Sequence, residues 1–215
     1  MTISIDIVSD VICPWCFLGK QRLDRALAAS AEDDIEIRWR PFLLDGSIPR
    51  EGMPRKDYLE RKFGKERLAD IHAPLMTAAA AEGVPYDFDA ITVTPNTLDA
   101  HRLIRWSHDA GRQHEMAERL FRLYWSEGGD IGKRDVLIKA AADVGLDTTF
   151  VHQALETEAD LDAVIKEISE AAELGISGVP TFIFGNRYAV VGAQPSEVLA
   201  SAISRVRLEQ RAATR

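Results

Sequence analysis

The chain has 215 residues, 46% apolar and 28% charged, enough for one large domain or for a domain carrying an insert. Thirty-four acidic against 26 basic residues leave a formal charge of −8, which excludes the basic footprint of a nucleic-acid binder. No uncharged apolar run comes near the roughly 18 residues of a membrane span, and Met1-Thr2-Ile3-Ser4-Ile5-Asp6 lacks the basic and long apolar segments of a secretory leader, so a cytoplasmic protein is expected.

Ile3, Ile5 and Ile7 alternate with polar neighbours up to Ser9, the pattern of a strand with one buried face. The chain's two cysteines follow as Cys13-Pro14-Trp15-Cys16. Phe17, Leu18, Leu23, Ala26 and Leu27 then recur at helical spacing to about Ser30, and Asp33 and Asp34 mark a turn. Ile35, Ile37 and Trp39, with Glu36, Arg38 and Arg40 opposite, predict a second strand ending at Pro41. Strand, helix and strand of these lengths imply a right-handed crossover and a parallel pair.

Gly46, Pro49, Gly52 and Pro54 form a loop, and helical patterns then dominate at 58–63, 68–81, 96–110, 115–126, 134–144, 148–155 and 161–174. Strands at 181–184 and 188–191 flank the short connection Gly185-Asn186-Arg187. Pro195-Ser196 opens a closing helix from 197 to about 206, and 208–215 are expected to form a flexible tail. The order β-α-β, helical block, α-β-β-α predicts an α/β protein with a thioredoxin-like fold and a large helical insertion. Residues 1–45 and 175–207 make the thioredoxin-like domain, 46–157 the insertion, and helix 158–174 packs between them.

A dithiol at a strand-to-helix junction has a direct chemical reading. Two intervening residues let both thiols lie on one edge of a first helical turn, with only Cys13 near the free N–H groups and the positive end of the helix dipole. That position favours a thiolate, making Cys13 the nucleophile and Cys16, one turn in and better covered, the resolving thiol. Pro14 suits the first helical position because its missing N–H needs no partner. Trp15 offers a flat apolar surface beside the nucleophile. A metal site is not expected: there is no second cysteine pair, and His72, His101, His108, His114 and His152 lie far downstream. A lone cysteine pair in a reducing compartment is more often catalytic than structural.

Gly178-Val179-Pro180-Thr181 precedes the third strand. In a thioredoxin-type fold the proline there is usually cis and faces the dithiol, while the preceding backbone pairs with an extended substrate segment, so Val179 and Pro180 are substrate-contacting candidates.

The motif Cys13 to Cys16, the helical insert, Ser177-Gly178-Val179-Pro180-Thr181-Phe182 and Val191-Gly192-Ala193-Gln194-Pro195 together resemble the DsbA-like thioredoxin superfamily. More narrowly they resemble its cytoplasmic FrnE-like branch, related to 2-hydroxychromene-2-carboxylate isomerases and kappa-class glutathione transferases. The resemblance implies dithiol–disulfide oxidoreductase chemistry on protein or small-molecule thiol and disulfide substrates, in a monomer or homodimer, with no bound cofactor but with glutathione as a conceivable co-substrate. The isomerase and transferase relatives place serine where Cys13 stands and carry an Asp-Arg pair where Gly192-Ala193-Gln194-Pro195-Ser196 stands here; both departures count against isomerase chemistry. Thr94-Pro95-Asn96-Thr97 and Ala100-His101-Arg102-Leu103 resemble cleft-bordering segments of those relatives, making Asn96 and His101 candidates for the substrate cavity, against an N-cap asparagine and a half-exposed histidine.

Trp106, Trp125, Phe121 and Tyr124 read as core of the helical block. Arg102, Arg105, Arg112, Arg119 and Arg122, interleaved with acids, read as a solvated helix face. Two other functions remain open on sequence: a glutathione-dependent isomerase or transferase, and a non-catalytic peptide-binding module.

Overall fold

The computed structural model describes residues 2–30, 34–67 and 71–213. Asp33, residues 68–70 of the expected helix 68–81 and the last two residues of the tail lie outside them. In chain order the elements are β1 (Thr2–Ser9), α1 (Pro14–Ala28), β2 (Asp34–Pro41), β3 (Met53–Pro54) and α2 (Arg55–Phe63). A short turn of tighter helix at Lys65–Arg67 leads to α3 (Ala73–Glu82), β4 (Val93–Thr94), α4 (Leu98–Trp106), α5 (Gln113–Trp125), α6 (Arg134–Asp143) and α7 (Thr148–Leu155). The chain closes with α8 (Leu161–Glu173), β5 (Thr181–Phe184), β6 (Tyr188–Val191) and α9 (Ser196–Ala213).

Among the described residues, four strands form the main sheet in the order β2-β1-β5-β6, and β3 and β4 form a small pair inside the insertion. β1 and β2 run parallel, with Ile5 opposite Ile37 and Ile7 opposite Trp39. β5 and β6 continue the sheet antiparallel, with Phe182 opposite Ile7 on one side and Val190 on the other. The turn between β5 and β6 places Gly185 and Asn186 at φ of 58° and 56°, and the Arg187 N–H returns to the Phe184 carbonyl. That is the left-handed pair a tight hairpin needs.

The sequence predicts one buried face for β1, but Asp6, Val8 and Ser9 are buried as well as the isoleucines. The strand is central, with α9 against it and α8 lying across the neighbouring β2. Asp6 is tolerated inside because Arg40 on β2 donates its Nε–H to the carboxylate at 2.7 Å. The outer edge of β2 is completed by a side chain: the Gln113 amide accepts from the Trp39 N–H at 2.9 Å and donates to the Trp39 carbonyl at 3.4 Å. The insertion thus closes an edge that would otherwise expose unpaired backbone.

Two expectations are corrected. The stretch 208–213 is not a loose tail: α9 continues through it, Tyr188 donates to Glu209, Arg205 lies 4.2 Å over the Tyr188 ring, and Gln210 donates to the Thr2 carbonyl. Arg102 is not on a solvated face but 1% exposed. Its guanidinium donates to the carbonyls of Ala154, Thr157 and Ala159 at 2.6–2.8 Å and to Asp99 at 2.8 Å. It thereby ties α4 to the end of α7 and to the turn that follows it. Trp125, Phe121 and Tyr124 are core, each 1% exposed or less, whereas Trp106 is only half buried and donates to Asp160.

Candidate functional site: a dithiol at the start of α1

Cys13 is the N-cap residue of α1, with extended backbone (φ −88°, ψ 113°) and Pro14 in the first turn. The Cys13 N–H reaches the Asp10 carbonyl and the Cys16 N–H reaches the Cys13 carbonyl, both at 3.0 Å, so the loop 10–13 winds directly into the helix. The insertion pins this turn from outside. Trp125 donates its indole N–H to the Val11 carbonyl at 2.8 Å, and Tyr86 donates its hydroxyl to the Pro14 carbonyl at 2.6 Å.

From the far end of the chain comes the segment before β5. The Val179–Pro180 bond is cis. The Cys13 thiol lies 3.5 Å from the Val179 carbonyl oxygen and donates to it. Gly19, on the buried side of α1, makes this approach possible: a Cβ there would stand 2.9 Å from Pro180 Cγ and 3.2 Å from Phe182 Cζ. Only a residue without a side chain lets helix and proline meet this closely.

Both thiols are free and covered, Cys13 at 3% exposure and Cys16 at 1%. The sequence predicts a more open Cys13; its thiol is bonded to the Val179 carbonyl, and Tyr86 of the insertion is fixed to the carbonyl of the adjacent Pro14. Trp15, at 38% exposure, is the apolar surface the motif presents outward. Burial pushes the Cys16 thiol well above its ordinary value, and the neighbouring Cys13 sulfur raises it further. The Ser9 hydroxyl and the Asp10 backbone act in the opposite direction, favouring the Cys16 thiolate. Burial also pushes the Tyr86 phenol up, with the Cys13 charge adding to it.

Behind the dithiol, Asp10 is fully buried and accepts from the Leu44 N–H at 2.7 Å and, at 3.4 Å, from Ile12. His101 Nε2 lies 3.0 Å from the Phe42 carbonyl and 3.6 Å from Asp10. Those contacts place the Nε2 proton on the carbonyl. His101 also lines a cavity of about 240 Å³ shared with Ser9, Trp39, Arg105, Trp106 and His108.

The structure therefore brings together Cys13, Pro14, Cys16, Val179 and Pro180, with Trp15 at the rim. His101 lies on the cavity wall with Ser9. Asn96 is otherwise engaged: its amide donates to the Ile48 carbonyl at 2.9 Å and accepts from the Leu98 N–H at 3.1 Å, so both ends are consumed at the start of α4. It is a turn residue, not a free group facing a substrate. Sequence reasoning missed Ser9, Asp10 and Tyr86. The first two had a signal, a polar pair where the strand ends and the dithiol loop begins; Tyr86, between Pro85 and Asp87, had none. Among the described residues no group of histidine, cysteine and carboxylate side chains could hold a metal, and no helix is long and apolar enough to cross a membrane.

The family model for the DSBA-like thioredoxin domain matches residues 4–204. The uncharacterized protein YwbO of Bacillus subtilis is 31% identical over 205 residues, covering 95% of this chain and 97% of its own. The crystal structure of the probable DsbA oxidoreductase SCO1869 from Streptomyces coelicolor superposes with a TM-score of 0.85 at 32% identity, over 94% of this chain and 89% of its own. A 2-hydroxychromene-2-carboxylate isomerase structure matches with a TM-score of 0.75 at 19% identity, over 99% of both chains, a likeness of fold alone. An oxidoreductase and an isomerase thus share this architecture, and the fold by itself does not choose between them. With the family model spanning nearly its whole length, the chain belongs to the DSBA-like thioredoxin domain family.

Proposed function

We propose that the chain is a dithiol–disulfide oxidoreductase in which Cys13 attacks and Cys16 resolves. The observation that carries the reading is the placement of the Cys13 sulfur at the N-cap of α1, 3.5 Å from the Val179 carbonyl, with Cys16 one turn below. The helix end supplies N–H groups and a positive dipole for the developing thiolate. An extended substrate segment laid along the Val179 backbone brings its sulfur over Cys13, with Trp15 and Pro180 as apolar walls. Attack by the Cys13 thiolate forms a mixed disulfide and releases one substrate thiol. Cys16 then displaces the second substrate thiol and closes the Cys13–Cys16 bond. Since Cys13 is 3% exposed and bonded to the Val179 carbonyl, the incoming segment must first displace that contact. Retention of cysteine at position 13, where the isomerase-type relatives use serine, supports exchange over isomerisation. Protein or small-molecule disulfides, glutathione among them, are the proposed partners.

The test is reduction of insulin disulfides by the wild-type chain with a dithiol donor. Cys13→Ser abolishes turnover, whereas Cys16→Ser accumulates a mixed disulfide visible on a non-reducing gel. Undiminished turnover in Cys13→Ser overturns the assignment.

A further inference from the structure

Arg55, the first residue of α2, is a buried cation, 7% exposed. Its backbone N–H reaches the Thr92 carbonyl at 2.9 Å, and its Nη1 donates to the Tyr124 hydroxyl at 3.1 Å. Among the described residues its Nε and Nη2 have no hydrogen-bond partner and no carboxylate stands within ion-pairing distance, in a chain with 34 acidic against 26 basic residues. The other buried arginine and the buried lysine are served differently. Lys20 holds two carboxylates, and Arg102 holds four oxygens. A buried charge without a counter-ion is costly and calls for an explanation.

Ring faces make up the surroundings of the guanidinium. Its Cζ lies 5.3 Å from the Trp125 ring centroid and 6.0 Å from that of Tyr124. Such faces attract the cation but do not replace the oxygen acceptors that a guanidinium fork takes side by side. The same rings join Arg55 to the dithiol turn. Trp125 bonds the Val11 carbonyl, and Tyr86, edge-on to Trp125 at 5.8 Å, bonds the Pro14 carbonyl. Phe88 stacks on Tyr86 and meets Trp125 edge-on at 5.7 Å. Tyr86 and Phe88 are only half-buried, so an aromatic floor runs from the dithiol turn toward the free fork.

We propose that Arg55 is an anion subsite of the dithiol site, receiving a carboxylate of the disulfide substrate while the substrate sulfur lies at Cys13. The inference rests on the dithiol reading above and names a substrate class for it: small disulfides with a carboxylate a few bonds from the sulfur. At 7% exposure Arg55 admits a slender chain end and not a folded protein surface. The carboxylate accepts from the Nε–H and Nη2–H groups together, and the carbon chain of the substrate lies along Tyr86 and Phe88. Arg55 transfers no proton and no electron; it binds and orients.

The experiment mixes the reduced protein rapidly with dithiodipropionate, which carries a carboxylate at each end, or with hydroxyethyl disulfide, an uncharged counterpart. Oxidation is followed by quenching with an alkylating agent and counting thiols by mass. In Arg55→Met, which keeps a long stem and removes the charge, the preference for dithiodipropionate over hydroxyethyl disulfide falls about tenfold or more, with the loss in the half-saturating concentration. Arg55→Lys, a cation without the fork, restores part of that preference. In the wild-type protein, sodium propionate slows the reaction with dithiodipropionate and not that with hydroxyethyl disulfide, a readout that depends on the folding of no variant. An unchanged preference in Arg55→Met, whether both rates fall or neither does, overturns the subsite and leaves the dithiol reading intact. So does a wild-type reaction with dithiodipropionate that propionate leaves untouched. A wild-type protein that neither disulfide oxidises overturns both.

Discussion

Gly19 of α1 and Pro180 of the segment before β5 are pressed so closely together that a single methyl group on Gly19 would meet the proline ring at 2.9 Å and Phe182 at 3.2 Å. This contact sets the distance between the helix carrying the dithiol and the backbone at Val179. Gly19→Ala is expected to force the two apart by a few tenths of an ångström and to cost about 1–3 kcal/mol, the usual penalty of an overpacked core. Urea unfolding measures the loss, and insulin reduction should fall with it. A stability gain, as for an ordinary helical glycine, would show that the gap is not needed.

His72 stacks on Phe88 with ring centroids 3.9 Å apart, and burial, with the Arg55 charge nearby, lowers its pKa to about 4. The unfolded chain binds this proton near pH 6.5, so between pH 6.5 and 4 the unfolded state holds more protons than the folded one. Stability from this group is fully present above about pH 6.5 and is lost as pH falls toward 4. His72→Phe is expected to flatten that part of the stability curve, which thermal unfolding at a series of pH values measures.

Lys20, buried on α1, bonds Asp24 at 2.6 Å and Glu118 of α5 at 2.7 Å, tying the dithiol helix to the insertion. His114 links into the same cluster, 2.7 Å from Asp24 and 3.3 Å from the Trp39 indole nitrogen. Lys20→Met removes the cation and leaves two partly covered carboxylates, at an expected cost of about 2–3 kcal/mol. Glu118→Gln in the same background is expected to restore part of it. A double-mutant cycle checks the coupling.

Arg102→Lys is expected to cost about 2–4 kcal/mol despite keeping the charge, since an ammonium cannot serve three carbonyls and a carboxylate from one buried position. Chemical denaturation of the variant measures it, and a change under 0.5 kcal/mol would mean that the α7 end is satisfied without the guanidinium.

How much of this was legible follows from the range of each interaction. β5, β6 and α7 fall on the residues that alternation and helical spacing mark, because those signals are local. The dithiol and Val179-Pro180 were legible because both lie at boundaries that local punctuation marks. Arg102 was misread because the three carbonyls that bury its guanidinium lie more than fifty residues away, where an interleaved charge pattern on its own helix carries no information. Gln113 and the tie from Lys20 to Glu118 were invisible for the same reason. The bond from Tyr86 to the Pro14 carbonyl, which pins the dithiol turn, comes from a segment with no periodicity at all. The end of α9 was set too early because Tyr188 and Thr2, which hold it, are distant in sequence.

The central claim is that Cys13 and Cys16 are a single reversible redox pair. Equilibrating the chain in glutathione buffers of graded ratio, quenching with an alkylating agent and counting free thiols by mass tests it directly. The account expects both thiols to vanish together in one two-electron transition, between about −270 and −120 mV. Thiols that stay alkylatable throughout, or that couple to glutathione independently, would contradict it.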